Sequence, residues 1–158
     1  MKKYLLLACG VLLFATSCLK NGGPAGSSSY TYAGNLTVKE MNTDKVTYSD
    51  ERASVTVSIP NIIEPKFDII FNDMKFDSAM PVKLDVEFNC LPFKTTMSED
   101  ETTINYTFDV KDVVPTVGGV PYDKYKADYI KGCIGRPVTI EFSMSSKDKI
   151  VQFSTATE

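Results

Sequence analysis

The chain has no histidine and no tryptophan among its 158 residues. Without histidine, Ser-His-Asp and Cys-His nucleophilic sites and imidazole-ligated metals are excluded outright. None of the four cysteines forms a C-x-x-C pair, which leaves zinc-ribbon and thioredoxin-like chemistry without its ligands. Basic residues are in deficit, with 17 Lys and Arg against 20 Asp and Glu, so there is no footprint for nucleic acid and none for anionic lipid. Long apolar runs are missing too: the longest, residues 4–15, falls short of the roughly 20 residues that a membrane-spanning helix needs.

What is present begins with that short run. Lys2 and Lys3 precede it, giving the charged start and apolar stretch of a secretory signal peptide over residues 1–17. It ends in Ala15-Thr16-Ser17-Cys18, small residues directly before a cysteine, which resembles the lipobox of bacterial lipoproteins, although Ala15 stands where leucine is usual. The resemblance implies that Cys18 is acylated and becomes the first residue of the mature chain. Each buried methylene contributes about 0.8 kcal/mol, so several acyl chains would hold a soluble domain to a membrane surface. Cleavage at an ordinary A-x-A-like site is the competing reading, and there Cys18 stays a thiol. Residues 18–29, rich in Gly, Ser and Asn, read as a flexible tether.

Removing the signal would leave 15 bases against 20 acids, a mildly acidic domain over residues 30–158, large enough for one core. Cys9 would go with the signal and Cys18 with the anchor, leaving Cys90 and Cys133 as the candidate internal disulfide. Cys90 could equally be a small buried hydrophobe on an apolar strand face.

From Tyr30 onward the apolar residues recur with period two. Leu36 and Val38 share a face, then Val55, Val57 and Ile59, then Phe67, Ile69 and Phe71, where a slip at Asn72-Asp73 toward Met74 and Phe76 predicts a bulge. Val82, Leu84, Val86, Phe88 and Cys90 alternate with polar residues, as do Ile104, Tyr106, Phe108 and Val110. Residues 125–134 fit a helical face through Tyr122, Tyr125 and Tyr129, but the Gly135-Arg136-Pro137 turn favours a hairpin. Strands around Val138–Met144 and Ile150–Thr157 complete an all-β chain of about eight strands joined by short turns. An antiparallel meander closed into an eight-stranded barrel would remove exposed edges, and a two-sheet sandwich is the alternative.

The strings "YAGNLTV" at 32–38 and "YIKGCIGRPVTIEFSM" at 129–144, behind a lipoprotein signal and a Gly-Ser linker, resemble the calycin-like, lipocalin-like-fold lipoproteins of Bacteroidota. The Gly-x-Trp signature of true lipocalins is absent. The resemblance implies a barrel tethered to the outer membrane, in the cell envelope. Lys20 is followed by Asn21-Gly22 where surface-exposed members carry acidic residues, which leaves the membrane face unassigned. Asp77-Ser78-Ala79 resembles the O-glycosylation motif of the same phylum, with Ser78 as acceptor; an ordinary loop is the bland reading.

Binding is favoured over catalysis, and no cofactor or metal is called for. Asp85 and Glu87 share a strand face at a spacing that two catalytic carboxylates could use, but that face is the wet one. Ser98-Glu99-Asp100-Glu101 lacks the glycine-centred spacing of a calcium loop, and Gly118-Gly119 sits between prolines, away from any helix N-terminus. A small eight-stranded barrel either fills with side chains or holds one small apolar ligand. The large inward set, Phe67, Phe71, Phe88, Tyr106, Phe108 and Phe142, points to a filled or narrow barrel. Tyr106, Tyr122 and Tyr125 are the candidate ligand contacts, the latter two at the end near residues 113–125, where they could instead form a plug. The expected partner is a small apolar molecule, a glycan or an envelope protein; the rival is an assembly subunit that works through its outer surface. A cavity of at least roughly 300 Å³ inside the barrel would separate the two.

Overall fold

A computed structural model describes residues 28–59, 64–98 and 101–156. The proposed signal peptide, Cys18 and most of the linker lie outside them. The described chain is one antiparallel sheet of eleven strands curled into a half-barrel, in the order β5-β6-β9-β10-β11-β1-β2-β3-β4-β7-β8. The long strands are β1 (Ser28–Glu40), β2 (Val46–Ile59), β3 (Lys66–Met74), β4 (Leu84–Pro92), β6 (Ile104–Val113), β9 (Ala127–Ile134), β10 (Thr139–Met144) and β11 (Lys149–Ser154). Three short ones, β5 (Lys94–Met97), β7 (Thr116–Val117) and β8 (Val120–Pro121), were not foreseen. The expected eight-stranded closed barrel is thereby corrected to an eleven-stranded open one.

The long strands follow the chain around the sheet, and β11 pairs with β1 from Asn35↔Ser154 to Glu40↔Lys149. The ladder is interrupted at one place. β4 and β6 approach each other but do not pair, because each carries a short strand on the edge where the other would lie: β7 on Val86 and Glu87, β5 on residues 104–107.

The period-two pattern buries what it should. Leu36, Val38, Val55, Val57, Phe67, Ile69, Phe71, Val86, Phe88, Phe142, Val151 and Phe153 are all inside. The predicted slip in β3 is there: Asp73 has φ +51°, the register with β4 shifts between Phe71 and Met74, and the Asp73 N–H donates to Asp85 Oδ1 at 2.9 Å. Strict alternation fails elsewhere. Cys90 has φ +58°, and its N–H donates to Asp68 Oδ1 at 2.7 Å, so Leu91 takes the inward place and Cys90 leaves the apolar face. Val82 precedes β4 and is 57% exposed, and Ile104 at the start of β6 is 53% exposed. Residues 127–134 are strand, not helix, and the hairpin through Gly135-Arg136-Pro137 joins β9 to β10.

The candidate Cys90–Cys133 bridge is not formed, since the Cys133 thiol is free. Cys133 sits on β9 between Thr107 and Thr139, turned from the face that buries Ile134, and β6 lies between β9 and the edge of β4.

Candidate functional site

The interior is packed with rings. Phe142 lies 4.9 Å from Phe88 and 5.2 Å from Phe71, centroid to centroid, and Phe71 reaches Phe153 at 6.5 Å. Edge-to-face and tilted contacts of this kind bring the large side chains of facing strands together in the middle of the half-barrel.

The two ends differ. At one, the β1–β2, β3–β4 and β10–β11 turns meet the connection from β6 to β9. There Tyr125, in a single helical turn Asp123–Tyr125, lays its ring 4.4 Å from buried Phe76, and Tyr122 lies 5.0 Å from Tyr125 on the outside. Tyr125 thus lies against the core and Tyr122 outside it. Burial, helped by neighbouring Tyr122, raises the Tyr125 phenol above its ordinary value.

The other end is where β1 begins, so the linker enters there. It holds a half-open cleft of about 660 Å³ bordered by Thr31, Tyr32, Tyr106, Ile134, Arg136 and Val138, among others. Its Tyr106 meets Phe93 edge-on at 5.1 Å, and Phe93 in turn stacks on Phe67 at 5.0 Å. Burial and the neighbouring Tyr30 and Tyr106 push the Tyr32 phenol up. The three candidate tyrosines are therefore split, with Tyr106 in the cleft and Tyr122 and Tyr125 at the opposite end.

Compared with known proteins, the chain matches no family model, no curated protein and no solved structure. The geometry alone must carry the functional argument.

Several acidic groups are committed to the fold. Thr116 donates to Glu87 Oε2 at 2.9 Å, and Asp85 caps the β3 bulge, so neither is aimed at a common ligand. Asp128 accepts from the Ser145 hydroxyl at 2.7 Å and from the Ser145 N–H at 2.6 Å, and these bonds hold its carboxyl below its ordinary range. On β10, Glu141 accepts from Tyr129 at 2.7 Å and Gln152 at 2.8 Å and pairs with Lys131 at 3.1 Å. Among the described residues no three His, Cys, Asp or Glu side chains converge on a point where a metal could sit. Ser78 is exposed in the β3–β4 connection, its backbone N–H donating to Thr47 O at 3.2 Å and the flanking Asp77 carboxylate accepting from Ala79 N–H at 2.9 Å.

Sequence reasoning missed Tyr32 and Arg136 as cleft residues. The alternation Tyr30-Thr31-Tyr32 already marks a strand that starts well before Leu36, but only the fold reveals what stands opposite it.

Proposed function

We propose that this protein is a lipid-anchored lipoprotein of the bacterial cell envelope whose barrel binds a partner without catalysis, at the cleft beside the linker. In this reading acyl chains on Cys18 hold it to the outer membrane, and the part of the linker ahead of Ser28, where β1 begins, lets the domain sample its surroundings. The eight long strands in chain order, with first and last paired, support kinship with calycin-like lipoproteins, whose barrel is here filled. One observation carries the binding assignment: aromatic rings stack in the interior and against Phe76 at one end, whereas the other end holds a half-open cleft with rings, hydroxyls and one cation among its described lining residues. A concave, half-apolar site with a few convergent polar groups suits an amphipathic ligand, a glycan or a protein segment better than a fully buried apolar molecule.

The test has two arms. Labelling cells with an alkyne fatty acid should mark the wild type and not Cys18→Ala; equal labelling overturns the anchor. A photo-crosslinking amino acid placed at Tyr106 should give a discrete adduct in intact cells, and the same group at Tyr122 should not. Adducts at Tyr122 alone, or on the outer face at Glu141, would favour the assembly-subunit reading, which also draws on the filled interior.

A further inference from the structure

Strand β1 is 13 residues long and β11 only six, so β11 covers residues 35–40 of β1 and leaves the same edge of residues 28–34 without a strand among the described residues. The split falls at Gly34, where a Cβ would strike the Ser154 carbonyl oxygen. On its other edge this segment is fully laddered to β2, from Ser28↔Ile59 to Gly34↔Ala53. It is held flat and extended by that pairing and by the hydroxyl contacts Ser29–Ser58 and Thr31–Thr56, each 3.0 Å.

Open strand edges invite pairing with other chains, and proteins usually blunt them with lysine, proline, inward charges or brevity. The two ends of this sheet follow that rule. β5 is four residues long and starts with Lys94, and β8 is two residues long and ends with Pro121. Residues 28–34, SSYTYAG, carry no charge and no proline. Other open stretches, residues 46–53 of β2 beyond its pairing with β3 and 108–113 of β6 beyond β5, carry charges such as Asp50, Glu51, Arg52 and Lys111. Residues 28–34 lack that guard, and Thr31, Tyr32 and Ala33 border the cleft.

The facing wall supplies charge. Among the described residues, Arg136 is the only charged one bordering the cleft, is exposed, and has no ion-pair partner, although the chain holds more acids than bases. A second copy of this edge would bring no carboxylate to Arg136, since residues 28–34 contain none.

We propose that the edge of β1 at residues 28–34 takes up an extended segment of another protein, which adds a strand to the sheet and places a carboxylate on Arg136. This deepens the cleft assignment above and rests on it. Main-chain hydrogen bonds to β1 supply affinity, as in other cases of strand addition. Alternate side chains of the incoming segment, repeating about every 6.6 Å, fall toward Tyr32 and Tyr106 or toward solvent. The bidentate geometry of a guanidinium selects the carboxylate.

The probe is a random twelve-residue peptide library on phage, panned against the mature full-length lipoprotein in nanodiscs, with empty discs for subtraction. Enriched peptides should carry an acidic residue or a free C-terminus next to alternating β-branched or aromatic positions. A synthetic peptide of that sequence should lose at least tenfold in affinity on Arg136→Glu and on amidation of its carboxylate. It should also slow amide exchange at residues 30–33. Thr31→Pro should abolish binding; should that variant fail to fold, Arg136→Glu and the exchange map still decide, because Arg136 is exposed and holds no ion pair. No enriched peptide, or peptides indifferent to Arg136→Glu, would overturn the proposal. So would a concentration-dependent dimer lost in Thr31→Pro. Binding to an oligosaccharide array lost on Arg136→Glu, with no peptide enriched, would overturn strand addition and leave the cleft assignment standing.

Discussion

The ring of Tyr125 lies 4.4 Å from that of Phe76, tilted by 34°, at the end of the half-barrel opposite the start of β1. Replacing Tyr125 by alanine removes the lid from a buried ring and should lower stability by about 1–3 kcal/mol, read from urea unfolding. Crosslinking at Tyr106 should be unchanged. A loss of crosslinking with stability intact would move the working site to this end.

Phe142 is the hub of the packed interior, fully buried and within ring contact of Phe71, Phe76 and Phe88. Phe142→Ala should cost about 3–5 kcal/mol, since its rigid neighbours cannot collapse into the space. A cost below about 1 kcal/mol would mean that the rings repack and the interior is adaptable.

Gly132 is required by approach, not by its backbone angle. A Cβ there would run into the Thr139 carbonyl oxygen and press on Phe108 at 3.0 Å. Gly132→Ala should therefore destabilise by about 1–3 kcal/mol in chemical denaturation, in spite of the general preference for alanine over glycine in a strand. Equal or greater stability of the variant would contradict the tight β9–β10 contact.

Stability should fall in acid. Four carboxyls lie below their ordinary values: Asp50 through the Arg52 N–H, Asp77 through the Ala79 N–H, Asp128 through the Ser145 hydroxyl, and Glu141. At Glu141 burial acts upward and is the largest single influence, but Gln152, Tyr129 and Lys131 together outweigh it. The unfolded chain binds these protons first as pH drops. The stabilisation is thus complete above about pH 5 and is lost as pH falls through the unfolded and then the lower folded values. Glu141→Gln should flatten the acid limb of a pH–Tm curve; an unaltered limb would remove Glu141 from the account. Burial raises Tyr32, Tyr48, Tyr125 and Tyr129, so stability should also decline above about pH 10, where the unfolded phenols ionise first.

Cys133 is free and half-buried, and burial pushes its thiol up. Iodoacetamide at pH 7.5 should modify it at least about tenfold more slowly in the folded protein than in urea, as read by mass spectrometry of its peptide. Equal rates would place it in solvent.

The all-β class, most strand positions and the bulge after Phe71 were legible because a half-buried strand repeats every two residues and a slip in that repeat is visible. The bend at Cys90 was not, because its cause is a hydrogen bond to Asp68 on the neighbouring strand. The short strands β5, β7 and β8 were unreadable for a similar reason: two to four residues carry no period, and only their neighbours select them. Of the candidate ligand residues, Tyr106 borders the cleft in keeping with its inward phase, whereas Tyr122 and Tyr125 lie beside Phe76, a placement no alternation could show because loop residues have no phase to read.

By itself, the sequence determined an acidic, histidine-free, all-β domain with a ring-filled interior, since composition and alternation act locally and survive any choice of pairing. Which strands stop short was decided in three dimensions. Whether β11 ends beside Asn35, leaving residues 28–34 open toward Arg136, depends on register and on the contact at Gly34 with Ser154. Those are properties of two strands more than a hundred residues apart, and no local pattern encodes them.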